Sequence, residues 1–296
     1  MRYLVIANPI SGKKKSISLL NELVIPIFKQ KKINYKSFVT KFPTHASKIV
    51  NEYDFNENDK IIVLGGDGTM HEVINGMLTR EDSVNIPIGL LPAGSGNSLL
   101  HDLNQLNIQD TLKVILENNT KKIDLLKIKM PSEEMFAINM IGWGMVNDIG
   151  DQAERMRWIG PMRYNISSLI QIFKYLPRNA MLTIDGELFN EKFAFIIVCN
   201  TIHVGKGMKM APPASLDDGK MDIIIIKNNF SRLKLLQMFP TLFSGNHINS
   251  PLVKYMQVKS LELKPEKNEK LNIDGEMIGS TPISVDIINK KINLLN

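Results

Sequence analysis

The sequence predicts an α/β domain joined to a second, β-rich domain, and three observations carry that expectation. Apolar runs alternate with segments of helical spacing from residue 3 to residue 94. Such alternation indicates βαβ units and a parallel sheet. Glycine-rich turns close three of those apolar runs. After about residue 122 the alternation gives way to strands separated by turns, the pattern of a sandwich or open barrel.

In order, "YLVIAN" (3–8) reads as a buried strand. Residues 16–31 place Leu19, Leu20, Leu23 and Ile27 at helical spacing, with Pro26 interrupting the pattern. "NYKSFVT" (34–40) reads as a strand, "THASKIVNEY" (44–53) as a helix capped by Thr44, and "DKIIVLGG" (59–66) as a strand. "TMHEVINGML" (69–78) has the helical period, and "IPIGLLPAG" (86–94) is again a strand. The boundary is expected near 120–125, at "ENNTKK", which gives a first domain over 1–122 and a second over 123–280. Strands of the second domain are "KKIDLLKIKM", "EMFAINMIG", "NAMLTIDGELF", "EKFAFIIVCN", "GKMDIIIIK", "YMQVKSLELK", "KLNIDGEMI" and "TPISVDIIN". Helical insertions are expected at roughly 150–175 and 231–243.

The net charge of +6 favours phosphates or an anionic membrane face over acidic partners. No aromatic-interleaved basic motif or zinc signature supports nucleic acid. The single cysteine, Cys199 in "FAFIIVCN", rules out an internal disulfide framework and reads as a packed strand thiol. No run approaches the ~20 apolar residues of a membrane span. The first residues lack a secretory pattern, so a cytoplasmic protein that touches membranes peripherally is expected.

The glycine turns are "ANPISG" (7–12), "GGDGT" (65–69) and "PAGSGN" (92–97). In an open parallel sheet, ligands bind outside the carboxyl ends of the strands. Glycines let the backbone approach a ligand, and free N–H groups at a helix start bind anions. Three such turns at neighbouring strand ends point to a nucleotide phosphate site. None is a P-loop or a dinucleotide fingerprint. Asp67 would stand beside those phosphates, able to take a proton from an attacking hydroxyl or to hold Mg²⁺ through water. The competing reading is an Asx-turn made with its own backbone.

"GGDGTMHEVINGM" followed by "LLPAGSGNSL" resembles the diacylglycerol kinase catalytic-domain family, which includes bacterial soluble lipid kinases, sphingosine kinases and ceramide kinases. The likeness continues through "NPISGKKKS", "TKFPTHA", "KKIDLLKI", "GWGMVNDIGDQAERMRWIGPMRY", "MAPPASLDDGKMDIIII" and "NIDGE". It implies a phosphofructokinase- and NAD-kinase-like three-layer α/β domain and a C-terminal β-sandwich domain, with ATP in the cleft between them and lipid in the second. The last strand, about 281–296, is then free to return to the first domain.

Carried over by position, the resemblance makes Asp67 the general base. Gly65, Gly66, Gly68 and Thr69 hold phosphates, as do Gly94, Ser95, Gly96 and Asn97. Asn8 and Thr40 contact the nucleotide, and Glu72 supports a helix N-terminus or the nucleotide itself. Asp274 and Glu276 lie near the nucleotide and its Mg²⁺, Asp124 joins the metal's water network, and Arg157 and Arg163 neutralise the transferred phosphate. ATP and Mg²⁺ are the implied cofactors.

Within the family, Ser98 after the second turn is closer to sphingosine and ceramide kinases. The acid that answers a sphingoid amine, two residues after the position of Asp148, is here Gly150, with Asp151 one step on. The lipid alcohol is thus diacylglycerol-, sphingosine- or ceramide-like. Residues 155–178 and 230–243 combine basic, aromatic and apolar side chains and suit transient contact with a membrane surface, or walls of a pocket. A homodimer is left open. Two alternatives stand beside the kinase reading: an NAD-kinase-like phosphotransferase and a catalytically inactive lipid-binding regulator.

Overall fold

The computed structural model describes residues 2–205, 207–228 and 231–296, with Lys13, Arg157 and Pro161 described by backbone alone. The chain divides into two compact units. Residues up to Asp124 form the first together with Lys290–Asn296, and Leu125–Asn289 form the second.

The first unit is a parallel sheet wrapped by helices. Strand β1 (Arg2–Ala7) is followed by α1 (Ser11–Lys14), α2 (Ser16–Leu19) and α3 (Ile25–Gln30). Pro26 is the second residue of α3 and follows directly on the π-helical turn Leu20–Val24, a local change of winding inside the helix. The helix expected over 16–31 thus runs over 16–30 with helical backbone at each junction and a π-helical turn in its middle. Next come β2 (Asn34–Val39), α4 (His45–Glu52), β3 (Lys60–Gly65), α5 (Asp67–Leu78) and β4 (Ile88–Pro92). Helices α6 (Ser98–Asp102) and α7 (Ile108–Leu116) lead into β5 (Thr120–Lys129). Helix α7 has an Asn107 cap whose side chain accepts the N–H groups of Gln109 and Asp110.

The strand order is β2-β1-β3-β4, all parallel, and Leu294 pairs in parallel beside Ile88. Alternate side chains enter opposite faces, as a strand requires. Tyr3, Val5, Ile62, Leu64 and Leu91 share one core with Phe28, Leu112 and Ile115. The intervening Leu4, Ile6, Ile61, Val63 and Leu90 are equally buried, on the side left to α4 and α5, which pack together. The chain leaves β1 toward β2 and then crosses to β3, so the order reverses between β1 and β3. That switch point opens a crevice at the carboxyl ends of the two strands.

The second unit is antiparallel. Its elements are β6 (Glu134–Ala137), β7 (Met140–Gly144), α8 (Met145–Arg155), α9 (Arg163–Lys174), β8 (Arg178–Ile184) and β9 (Glu187–Cys199). A short ladder of β10 (His203–Val204) with β11 (Met208–Lys209) precedes β12 (Met221–Lys227). Helices α10 (Arg232–Met238) and α11 (Thr241–Ser244) follow. The unit closes with β13 (Val253–Val258), β14 (Ser260–Pro265), β15 (Lys270–Ile273), β16 (Glu276–Ser280) and β17, Ile283–Leu295, whose end belongs to the first unit.

Long β9 organises it, pairing with β8 along its first half and with β7 and β12 along its second. Ile196 and Val198 enter a sandwich core with Leu182, Leu261 and Val285. Phe195, Ile197 and the fully buried Cys199 face Met145, Ile172 and Leu235 of the helices.

Two expected strands are broken in two. "EMFAINMIG" splits at Ile138 and Asn139, because their N–H groups, with that of Met140, donate to the Asp274 carboxylate at 3.0, 2.7 and 3.1 Å. "YMQVKSLELK" splits at Lys259, whose N–H donates to Asp185 at 3.0 Å. Asp185-Gly186 and Asp274-Gly275 are both two-residue hairpin turns with positive φ throughout, as a type I′ turn demands. In each, the Asp side chain reaches back to stitch a neighbouring strand.

Candidate phosphate-binding turns

The first unit gathers the glycine turns at its switch point. The Asn8 N–H donates to Leu64 O at 3.1 Å, and Asn8 Nδ2 donates to Thr69 Oγ1 at 3.0 Å. Asn8 thus ties the turn after β1 to the one after β3. The turn after β4 is tied in by the Ala93 N–H, which donates to Gly65 O at 3.1 Å. The backbones then touch: a Cβ on Gly94 would stand 2.4 Å from Gly66 Cα, and one on Gly12 would stand 2.1 Å from Ala93 O. Only glycine allows this approach.

Asp67 opens α5, with Gly66 as the capping residue. The helix dipole favours a negative charge there. Its Oδ2 accepts the Ser98 N–H at 2.9 Å, so the side chain bridges to the next turn. Asn97 closes its own turn: the Gly94 N–H donates to Asn97 Oδ1 at 3.1 Å, and Asn97 Nδ2 donates to Gly94 O at 3.2 Å. Gly66, Asp67, Gly68, Gly94 and Gly96 are half-buried and Ser95 is exposed, while Thr69 lies beneath them, buried. Polar backbone at a helix start, open to solvent, is the arrangement that binds phosphate.

Thr40 is buried and its N–H extends the ladder to Ala7 O at 2.9 Å. Thr44, the expected cap of α4, has left-handed backbone and no capping side-chain bond. Glu72 caps α4 in its place, accepting the N–H groups of Thr44 and Ala46 at 2.8 and 3.0 Å. Asp124 is fully buried, and its Oδ1 accepts the Lys290 N–H at 2.6 Å.

The remaining expected residues lie in the second unit. Both oxygens of Asp274 are engaged by backbone N–H groups. Three of its acceptor sites are thus taken by backbone of its own unit. Glu276 is exposed at the start of β16. Arg163 pairs with Glu154 at 3.3 Å and lies over the Tyr164 ring at 4.9 Å. The Arg157 side chain lies outside the described residues. Among the described residues no three His, Cys, Asp or Glu side chains could hold a metal ion together. Mg²⁺ asks for less, because it keeps waters and phosphate oxygens and takes only one or two carboxylates. Of Asp67, Asp124 and Asp274, Asp67 is the one that lies within the glycine turns themselves.

The sequence missed one cluster in the second unit. Arg178 Nη2 donates to both oxygens of Asp148, at 2.7 and 2.9 Å, and Arg178 Nη1 lies 2.9 Å from Glu269. Burial raises the Glu269 carboxyl, Arg178 opposes that, and Asp148 adds to it. Gly150 is buried, with a Cβ there 3.0 Å from Met277 Sδ, and Asp151 is exposed.

Comparison with known proteins agrees with this layout. Residues 2–128 match the diacylglycerol kinase catalytic domain, and residues 139–296 match the YegS C-terminal NAD kinase beta sandwich-like domain. Sphingosine kinase 1 of Arabidopsis thaliana is 28% identical over 332 residues, covering 94% of this chain and 68% of its own. The diacylglycerol kinase of Staphylococcus carnosus is 28% identical over 284 residues, covering 94% and 89%. A crystal structure of a diacylglycerol kinase from Bacillus anthracis shares the fold, with a TM-score of 0.75 at 22% identity over 99% of this chain and 96% of that one. With both matched segments in sequence order and its glycine turns gathered at one switch point, the chain belongs to the diacylglycerol kinase catalytic-domain family of lipid kinases.

Proposed function

We propose that this protein transfers the γ-phosphate of ATP to the hydroxyl of a lipid alcohol. The observation that carries the reading is Asp67, half-buried at the start of α5 between two glycine turns. Phosphoryl transfer asks mainly for positioning and charge neutralisation. The backbone N–H groups of residues 65–69 and 94–97 cradle the phosphates, and Asn8 and Thr69 fix the turns that carry them. The Asp67 carboxylate takes the proton of the lipid hydroxyl as its oxygen bonds to the γ-phosphorus and the bond to ADP breaks. Mg²⁺, held through Asp67 and water, would neutralise phosphate charge.

A neutral headgroup is favoured over a sphingoid amine. An ammonium group needs a carboxylate to answer it, and Asp148 is already held by Arg178 while Gly150 carries none. The chain meets its substrate at a membrane surface. Trp158, Leu176 and Leu233 are 83%, 75% and 63% exposed, and the exposed Arg155, Lys174, Arg232 and Lys234 lie within three residues of them in sequence. Apolar side chains interspersed with cations suit an anionic interface. Among the described residues no helix is long and apolar enough to cross a membrane.

The test is phosphate transfer from γ-labelled ATP to diacylglycerol, ceramide and sphingosine in mixed vesicles, and to NAD. Product on diacylglycerol or ceramide is expected. Product on NAD alone would overturn the lipid reading, and lipid binding without any product would leave a regulator. Product chiefly on sphingosine would overturn the neutral headgroup.

A further inference from the structure

In the kinase reading the phosphates lie outside β3 and β4, and β1 and β2 continue that row to the edge of the sheet. Because the Thr40 N–H bonds to Ala7 O, the chain leaving β2 departs beside the first of those turns. It carries Phe42, which is 52% exposed and belongs to no core. The phenyl ring is backed by the His45 imidazole, with centroids 4.5 Å apart and planes tilted by 34°. The imidazole is itself fixed, since its Nδ1 accepts the Lys41 N–H at 3.1 Å and the His45 N–H donates to Phe42 O at 3.2 Å. A large apolar ring is thus held in place with much of its surface in water, two strands from the phosphate turn after β3.

Adjacent strands lie about 4.8 Å apart, so β2 ends about 10 Å from β3. The ribose and α-phosphate of a nucleoside triphosphate bridge that separation, with the terminal phosphates at β3 and the base beyond β1. We propose that Phe42, backed by His45, is the surface on which the nucleobase of the phosphate donor stacks. The proposal rests on the kinase reading and adds the residue that binds the base. Stacking is open to every base, because each has a π-face, so Phe42 provides affinity without choosing between adenine and guanine.

The experiment measures dissociation constants of ADP, GDP and inorganic tripolyphosphate for the full chain and for Phe42→Ala and Phe42→Trp. The alanine variant should bind ADP and GDP about five- to a hundredfold more weakly, the worth of one base stack. Its tripolyphosphate affinity should stay within about twofold, since the phosphate turns are untouched. The tryptophan variant should retain ADP affinity, and its added fluorescence should be quenched on binding. ADP binding unchanged in Phe42→Ala would overturn the proposal. So would an equal loss of tripolyphosphate affinity, which marks a damaged turn. Reduced vesicle binding with ADP affinity intact would overturn it too and make Phe42 a membrane contact. If the unaltered chain bound neither ADP nor tripolyphosphate, the kinase reading itself would fall.

Discussion

Asp67 reaches from the first turn of α5 to the backbone N–H of Ser98 at the start of α6, 2.9 Å away. The bond fixes the side chain between two glycine turns, and an asparagine could keep it through its amide oxygen. Asp67→Asn should therefore fold normally yet turn over about 10²- to 10⁴-fold more slowly, the usual worth of general-base help. Steady-state rates and a thermal melt read the two effects separately. Near-normal turnover would remove Asp67 as base, and a large drop in melting temperature would make its role structural.

Glu72 holds two N–H groups at the start of α4 from the body of α5. Glu72→Ala should cost about 1–2 kcal/mol in urea unfolding, the cost of losing a helix cap. Glu72→Gln, which keeps one acceptor oxygen, should lose less. Equal stability of all three chains would show that the cap contributes nothing.

Asp222 of β12 is fully buried and accepts the Tyr255 hydroxyl and Gln257 Nε2. Burial pushes its carboxyl above the ordinary range, against those two bonds, and pushes the Tyr255 hydroxyl up as well. The folded chain thus holds the Asp222 proton at pH values where the unfolded chain has released it. Its contribution to stability is present below the ordinary carboxyl value near 4 and is lost as pH rises through the raised one. Asp222→Asn removes that dependence. Unfolding free energies of the two chains between pH 4 and pH 7 should diverge in favour of the variant as pH rises. Parallel curves would place the proton elsewhere.

Trp158 and Leu176 are exposed on the helical insertion of the second unit. Replacing both with serine should weaken partitioning onto anionic vesicles by about tenfold or more, because each removes on the order of 1 kcal/mol of interfacial burial. Turnover of a short-chain, water-soluble lipid alcohol should not change. Unaltered vesicle binding would move the membrane contact to another face.

The parts of this protein that were readable in its sequence are those whose causes are local. The apolar runs of β1, β3 and β4 and the glycines that end them announce strands and turns within a few residues. What escaped reading depends on partners far along the chain. Thr44 looked like a cap, but the capping carboxylate belongs to Glu72, 28 residues later. "EMFAINMIG" looked continuous because Asp274, which breaks it, lies more than 130 residues away. Arg178 carried no motif, and its pairing with Asp148 arises only when β8 folds against the start of α8.

The stitching turn at Asp274 bears on how loss-of-function screens of this protein should be interpreted. Scored by product formation alone, replacements at Asp274 and at Asp67 would be indistinguishable, since an unstitched hairpin and a missing base both yield an inactive sample. Soluble yield tells them apart: Asp274 should sort with Asp185, whose carboxylate does the same job at the other Asp-Gly corner, as a residue the cell loses to proteolysis before any chemistry is attempted.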